Sequence, residues 1–308
     1  MKSAGDLQKD LVEAHSDPMD RRRFLKMTGA MAAILPLLGL PRFAESKPVQ
    51  RTAGPLPAAA RHTLWYDTAA PESNILREGL PIGNGRLGAL VGGDPASSFL
   101  YLTDASMWLG KRDVPLGADG QFDYTTENFG SLVMLARLYL SVEGHEAAHI
   151  TDYRRELDLG QGYLRVSYRR DGVAYSWDIF ASHPDDMIAI HLSQNGGGVY
   201  NGSIELRGMH GETSHVGATH AASASAASQF EGVLENGLRY ATNVVAVAGA
   251  GTVGTDARGL RFANCSTLTV ILCGGTNYTP DAAKNFMDAS LDPLTLSIRK
   301  TKAAALQT

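Results

Sequence analysis

The amino-acid sequence predicts an all-β fold: a large antiparallel sandwich of two sheets with few short helices, preceded by a signal segment. Apolar and polar residues alternate with a period of two over much of residues 62–290, as in strands that bury one face. Asn-Gly and Asp-Gly dipeptides separate several of these segments, and glycine supplies 33 of 308 residues, which indicates many tight turns. Because this region is about twice the size of an immunoglobulin-like unit, a single large sandwich fits it best.

The residues before this region are predicted to direct export. The run Arg21-Arg22-Arg23-Phe24-Leu25-Lys26 is followed by the charge-free apolar stretch Met27–Leu40. This stretch of about 14 residues is short for a membrane helix, which needs about 20, and the pattern predicts a twin-arginine signal peptide over residues 1–44. The alternative is a basic start followed by an amphipathic helix. We therefore expect a periplasmic or extracellular protein with a flexible leader over residues 45–61, and no membrane association after signal cleavage.

Two hairpins carry the clearest strand pattern. In the first, Asn84-Gly85 separates Leu80–Ile82 from Leu87–Val91, and both turn residues tolerate a positive φ. In the second, Asp171-Gly172 separates two alternating arms whose large residues should share one buried face. Those large residues are Leu164, Val166, Tyr168, Val173, Tyr175, Trp177 and Ile179.

The rest of the chain predicts more strands and little helix. The further strands are Met187–Leu192, Ser203–Arg207, Leu238–Ala248, Leu260–Ala263 and Leu268–Cys273. The Ala-, Ser- and His-rich stretch Ser214–Gln229 is predicted to be a surface loop. Gly144–Ile150 is a candidate helix, and a second helix should start at Pro293, since proline suits the first helical position. Cys265 and Cys273 are placed on one extended segment, about 26 Å apart, so the sequence predicts two buried thiols and no disulfide.

Composition and charge exclude several classes of function. The formal net charge is -4, whereas holding a phosphate backbone needs a basic surface, so no nucleic-acid partner is expected. The sequence has two cysteines and no Cys-x-x-Cys pair, which argues against a zinc site. His145 and His149 are four positions apart, but no third ligand follows at a fixed offset. The sequence also has no glycine-rich phosphate loop, so neither a cofactor nor a metal is predicted.

A series of motifs follows in a fixed order along residues 62–290. The motifs are Leu64–Asp67, Gly79–Val91, Leu102–Gly110, Tyr153–Leu159, Phe180–Asp185 and Leu268–Tyr278. In this order they resemble the N-terminal domain of glycoside hydrolase family 95, which comprises α-L-fucosidases and some related α-L-galactosidases.

The resemblance implies an architecture and an activity. In that family a β-super-sandwich, here residues 62–290, precedes a linker helix, a catalytic (α/α)6 barrel and a small β domain. The barrel carries the catalytic acid and the residues that activate water, and the reaction inverts the anomeric centre. Residues 291–308 would be the truncated start of the linker helix, so the catalytic barrel is expected to be missing. No residue of this chain is therefore predicted to be catalytic.

Three interpretations of the chain follow. The resemblance implies the N-terminal non-catalytic domain of an exported α-L-fucosidase-like enzyme. The complete enzyme would act on fucosylated oligosaccharides or polysaccharides such as xyloglucan, with those glycans and the barrel domain as its partners. The chain alone is then expected to be inactive as a glycosidase. The alternatives are a stand-alone carbohydrate-binding or assembly module, and an inactive gene fragment.

Four residues are candidates for contact with sugar or with the barrel. Asp104 and Trp108 form one pair, because a carboxylate accepts hydrogen bonds from sugar hydroxyls and an indole stacks on a sugar ring. The alternative is a core tryptophan and a turn-forming aspartate. Asn84 and Arg86 lie at the tip of the first hairpin. Their alternative roles are a positive φ at Asn84 and an ion pair between Arg86 and a nearby carboxylate.

Overall fold

Antiparallel strands make up most of the chain that the structure describes. The structure is a computed structural model that describes residues 62–110, 119–121, 130–218 and 225–305. The predicted signal peptide (1–44) and leader (45–61) lie outside the described residues. The strands are β1 (Thr63–Tyr66), β2 (Leu80–Gly83), β3 (Leu87–Asp94), β4 (Ser97–Asp104), β5 (Trp108–Leu109), β6 (Ser131–Leu132), β7 (Ala136–Val142), β8 (Thr151–Asp158), β9 (Tyr163–Arg170), β10 (Val173–Ser182), β11 (Met187–Asn195), β12 (Tyr200–Arg207), β13 (His215–Ala218), β14 (Ser225–Val233), β15 (Arg239–Ala248), β16 (Thr252–Thr255), β17 (Leu260–Cys265) and β18 (Leu268–Thr276).

The strands form two large sheets that face each other. The nine-stranded sheet has the order β1-β8-β9-β10-β11-β18-β15-β14-β13, and the seven-stranded sheet has the order β16-β17-β12-β7-β4-β3-β2. The short strands β5 and β6 pair separately, and the strand pairings are antiparallel. One hydrophobic cluster fills the space between the sheets, with Leu100 and Leu140 from one sheet and Val166 and Ile190 from the other. The predicted all-β sandwich of two antiparallel sheets is confirmed.

The second predicted hairpin is formed by β9 and β10 and is confirmed in detail. Asp171 and Gly172 both have a positive φ, 50° and 80°, as a tight turn that follows the strand twist requires. Trp177 pairs with Val166 across the hairpin, and both side chains are buried in the core. Burying a side chain of this size contributes about 1.5–3 kcal/mol to stability. This hairpin therefore supplies a large part of the core between the sheets.

His145, whose spacing to His149 did not lead to a predicted metal site, lies inside an aromatic part of this core. Its ring meets that of Tyr175 edge-on, with the centroids 4.7 Å apart, and Nδ1 lies 2.7 Å from the Tyr168 hydroxyl. Burial lowers the pKa of His145 to about 4, so the ring is neutral near pH 7. His149 instead lies on the surface and contacts Glu146. No group of three or more possible metal ligands occurs among the described His, Cys, Asp and Glu residues.

Helices are few among the described residues, and the longer α-helix packs on a sheet. The α-helices of the described ranges are α1 (Ile75–Glu78) and α2 (Pro293–Ala305). The 3-10 turns are Glu72–Asn74, Ala147–His149 and Ala282–Lys284, so the candidate helix at Gly144–Ile150 is only a single turn. Helix α2 begins at Pro293, as predicted, and the Asp292 carboxylate accepts a hydrogen bond from the Thr295 backbone N–H at 3.3 Å.

Polar contacts fasten α2 to the outer face of the nine-stranded sheet. The Asn243 side-chain amide of β15 donates to Thr301 Oγ1 at 2.6 Å, and Ser297 is also fully buried in this contact. The Arg239 guanidinium donates to the Leu291 carbonyl at 2.6 Å and so fixes the segment that leads into the helix. In the described chain, no helix has the length and apolar character needed to cross a bilayer.

Two sequence predictions about this part of the fold were wrong. The stretch Ser214–Gln229 is not a loop throughout, because β13 and the first half of β14 lie within it. Ala226, Ser228 and Phe230 alternate inward and are buried, but small residues conceal this alternation in the sequence.

Cys265 and Cys273 do not share one extended segment either: Cys265 ends β17 in one sheet and Cys273 lies on β18 in the other. Both thiols are free and buried, as predicted.

We expect Gly202→Ala to destabilise the sandwich. Gly202 lies on β12, between β7 and β17, where a Cβ would overlap the Ser141 carbonyl oxygen and approach Cζ of Phe262 to 2.7 Å. Forcing a methyl group into such a site typically costs about 1–3 kcal/mol. The control is Gly254→Ala on the edge strand β16, where a Cβ would meet no atom within 4 Å. Urea unfolding should show a clear loss only for Gly202→Ala, and equal losses in both variants would contradict the packing described here.

Candidate functional site

The tip of the β2–β3 hairpin is shaped by the side chain of Asn84. Its Oδ1 accepts hydrogen bonds from the backbone N–H groups of Arg86 and Leu87, at 2.9 and 2.8 Å. Gly85 has a φ of 95°, whereas Asn84 is not among the residues with positive φ. The alternative in which Asn84 supplies a positive φ is therefore wrong. The asparagine instead closes the turn with its side chain and thereby aims Arg86 inward.

The guanidinium of Arg86 joins three parts of the fold. Its Nε donates to both carboxylate oxygens of Asp186, at 2.8 and 2.9 Å, and its Nη2 donates to the Gly274 carbonyl at 2.9 Å. Its Nη1 donates to Oδ2 of Asp104. Asp104 belongs to the seven-stranded sheet, Asp186 lies in the β10–β11 turn of the nine-stranded sheet, and Gly274 lies on β18. One cation thus connects the two sheets at this end of the sandwich.

Asp104 ends β4 and is fully buried. Its second oxygen, Oδ1, accepts from the Ser106 backbone N–H at 2.9 Å and from the Ser106 hydroxyl at 2.6 Å. Asp104 is therefore a turn-forming aspartate, which was the alternative to a sugar contact, and it is also the buried partner of Arg86. The hydrogen bonds to both of its oxygens offset the cost of burying this carboxylate.

Asp186 extends the network to the helix. Lys300 of α2 donates to its carboxylate, and the Asn84 side-chain amide donates to the Ser182 carbonyl at 2.9 Å in the same turn. Burial opposes ionisation of Asp186, but the hydrogen bonds from Arg86 and Lys300 outweigh it, so the pKa of this carboxyl lies below its ordinary value. We call the group of Arg86, Asp104, Asp186 and Lys300 the clamp.

Trp108 lies beside the clamp and is not a core residue. Its side chain is 49% exposed, so the alternative of a core tryptophan is wrong. The indole Nε1 donates to the Ala105 carbonyl at 2.9 Å, and the Trp108 carbonyl accepts from the Asn236 side-chain amide at 2.7 Å. These bonds hold the ring and its backbone in one position at the surface.

An open pocket of about 440 Å³ lies between Trp108 and the clamp. Its lining residues are Arg86, Ala105, Ser106, Trp108, Asp186, Gly275, Thr276, Tyr278, Leu296 and Lys300. The structure thus brings Arg86 and Trp108 to one pocket. Asn84 and Asp104 do not line it, but both contact Arg86: Asn84 accepts from its backbone N–H, and Asp104 accepts from its guanidinium. The pocket also includes Asp186, Lys300 and the 45%-exposed Tyr278, which were not chosen as site residues from the sequence.

The chemistry of this pocket favours binding over acid–base catalysis. Hydrolysis of a glycosidic bond needs one carboxylic acid that is protonated near neutral pH and exposed to the leaving oxygen. Asp186 is held in its ionised form by two cations, and Asp104 is closed off from solvent. Neither residue suits the role of general acid, although Asp186 can accept hydrogen bonds from a bound hydroxyl compound.

Comparison with known proteins identifies relatives among the glycoside hydrolases. The chain is 26% identical over 162 residues to "Probable alpha-fucosidase A" of Aspergillus oryzae, an alignment that covers 44% of this chain and 22% of the relative. The enzyme of the same name from Aspergillus niger is 28% identical over 167 residues, with 46% and 21% covered. "Alpha-L-fucosidase 2" of Arabidopsis thaliana is 30% identical over 143 residues, with 36% and 16% covered. The aligned part of the chain spans about a fifth of the length of these relatives.

A family model covers much more of the chain. The family described as "Glycosyl hydrolase family 65, N-terminal domain" matches residues 64–127 and 119–281, which include both large sheets. The predicted resemblance to the N-terminal domain of a glycosidase family with α-fucosidase members is thereby confirmed. Since the match extends over more than half of the sequence, the chain belongs to the glycosyl hydrolase family 65 N-terminal domain family.

Proposed function

We propose that this chain is the N-terminal, non-catalytic domain of an exported α-L-fucosidase-like glycoside hydrolase. Family membership gives it a glycoside hydrolase-related role. The observation that carries the finer proposal is the alignment with three α-fucosidases from fungi and a plant. In the complete enzyme, fucosylated oligosaccharides or polysaccharides are hydrolysed with inversion at the anomeric carbon. The acid and the activated water of that reaction are supplied by a catalytic barrel outside this chain.

The state of the carboxylates in the clamp supports a non-catalytic domain. An inverting glycosidase places its two carboxyl groups about 6.5–9.5 Å apart with room for a water between them. Here the guanidinium of Arg86 occupies the space between Asp104 and Asp186 and donates hydrogen bonds to both. A water held for attack on a sugar has no place between these two carboxylates.

A stand-alone carbohydrate-binding or assembly module is the second candidate function. It is favoured by the exposed ring of Trp108 at the rim of an open pocket. The nucleotide sequence downstream of the Thr308 codon discriminates between the candidates. A continuation that encodes a linker helix and a barrel, in frame or after a frameshift, supports the domain of a larger enzyme. An intergenic gap without a barrel supports the free-standing module or, if the chain is insoluble, a gene fragment.

We expect the purified chain to release no product from an aryl α-L-fucoside or a fucosylated oligosaccharide. The physical reason is that neither carboxylate of the clamp suits the role of general acid: hydrogen bonds from Arg86 and Lys300 lower the pKa of Asp186, and Asp104 is closed off from solvent. The assay should include an active α-L-fucosidase as a positive control and Asp186→Asn as a matched variant. Turnover above background that disappears in Asp186→Asn would overturn the proposal of a non-catalytic domain.

The proposal of export makes a separate prediction about the N-terminal segment. Replacing both Arg21 and Arg22 by lysine keeps the charge but removes the twin-arginine pair that the export machinery reads. In a host with a twin-arginine pathway, the native chain should be found outside the cytoplasm, and the doubly substituted chain should stay inside. Fractionation and immunoblotting measure this distribution. Equal export of both chains would contradict the proposed route, and cytoplasmic retention of both would contradict export itself.

A further inference from the structure

Two adjoining pockets meet at the exposed rings of Trp108 and Tyr278. The first is the pocket of about 440 Å³ beside the clamp, and the second has about 560 Å³ and contains Asn236 and Asn285. Ser106, Trp108 and Tyr278 line both. Each volume lies within the range of about 300–1,000 Å³ that is typical of sites for small organic ligands. Together the pockets form an extended surface with an aromatic ridge.

The ring of Trp108 and the backbone of Tyr278 are held in place before any ligand arrives. The indole of Trp108 is fixed by its hydrogen bond to the Ala105 carbonyl at 2.9 Å. The backbone N–H of Tyr278 donates to Thr276 Oγ1 at 3.2 Å, and Tyr278 also bridges Met287 on an antiparallel segment. A ligand that stacks on Trp108 therefore meets a surface that needs little ordering, which lowers the entropic cost of binding.

Polar groups on both sides of the ridge match the hydroxyl groups of a sugar. The hydroxyls of Ser106 and Thr276 lie 2.6 Å apart at the first pocket, next to the ionised Asp186. Amide side chains of Asn236 and Asn285 line the second pocket. The Ser106 hydroxyl donates to Asp104 and the Thr276 hydroxyl to Ser106, so these two groups offer acceptor oxygens, as Asp186 does, while the amides add donors. A polyhydroxylated ring can satisfy both kinds of group, and its C–H face can pack on an aromatic ring.

The charges of the clamp argue for a neutral ligand. Arg86 and Lys300 are the cations of the first pocket, and both are already paired with Asp186. Arg86 is further paired with Asp104. Among the described lining residues of the first pocket, the two positive charges are thus balanced by two negative ones, which leaves no excess cation there for a phosphate or a carboxylate ligand.

We propose that the two pockets form a binding site for a neutral oligosaccharide, with one sugar unit on each side of the Trp108–Tyr278 ridge. The inference rests on the proposed glycan-directed function and adds that this chain itself, without a barrel, holds part of the glycan. The site takes at least two linked sugars because each pocket accommodates one ring and both share the aromatic ridge. Stacking on Trp108 orients the chain, and the hydroxyl and amide groups select the sugar.

Isothermal titration calorimetry of the full chain with xyloglucan oligosaccharides, one fucosylated and one not, tests this site. We expect heat of binding from at least one of them. The affinity of Trp108→Ala and of Tyr278→Ala for that oligosaccharide should be weaker than that of the native chain by about tenfold or more. Trp108→Phe should retain most of the affinity because it keeps an aromatic face. The matched control is Trp65→Ala on β1, since Trp65 is also an exposed tryptophan (52%) but lines neither pocket. Its affinity should stay within about twofold of the native chain.

The outcomes separate the site from the proposed function. Urea unfolding of each variant establishes that the sandwich is intact. Binding of both oligosaccharides with equal affinity supports the site and counts against a fucosyl specificity for the domain. Absence of binding to either, or a loss in Trp65→Ala with none in Trp108→Ala, overturns the site, while the fucoside assay and the downstream sequence still decide the proposed function. Self-association that Trp108→Ala abolishes, without sugar binding, would assign the ridge to protein contact and also overturn the proposal.

Discussion

The pairing of Arg86 with the buried Asp104 is the constraint on which this end of the sandwich depends. Asp104 has no contact with solvent, so its charge is tolerable only while the guanidinium and the Ser106 bonds satisfy it. The same guanidinium reaches Asp186 and the Gly274 carbonyl in the opposite sheet, and Asp186 holds Lys300 of α2. The relative position of the two sheets and the helix is therefore fixed at one point, and the walls of the pocket beside Trp108 are fixed with it.

The sequence predicts those parts of the fold that local pattern determines. The β9–β10 hairpin follows from Asp171-Gly172 and from large residues at alternate positions, and the structure has the turn at these two residues and pairs Val166 with Trp177 in the core. The strands within Ser214–Gln229 were missed because alanine and serine give little contrast between a buried and an exposed face. The passage of the chain from one sheet to the other between Cys265 and Leu268 depends on long-range pairing, which no local pattern encodes.

In the candidate site, too, some residues could be identified from local sequence patterns and others could not. Arg86 and Asp104 could be singled out because they belong to recognisable local motifs, and the structure places them in direct contact. Asp186 is 100 residues from Arg86 in sequence, and Lys300 is 114 residues further on, so neither was identifiable as a partner. Tyr278 was visible only as the end of the closing motif. The resulting surface combines a rigid, charge-balanced wall with exposed aromatic rings, which suits recognition of glycans better than proton transfer.

A double-mutant cycle between Arg86 and Asp104 tests the central role of this pair most directly. The free energy of unfolding in urea is measured for the native chain, Arg86→Met, Asp104→Asn and the double variant. Arg86→Met should cost about 3 kcal/mol or more, because it leaves Asp104 buried without a counter-charge. Asp104→Asn should cost less, because Arg86 is partly exposed and keeps Asp186 as a partner. The double variant should lose at least about 1.5 kcal/mol less than the sum of the single losses. Losses that add within about 0.5 kcal/mol would contradict the account, because they would show that the two residues stabilise the fold independently.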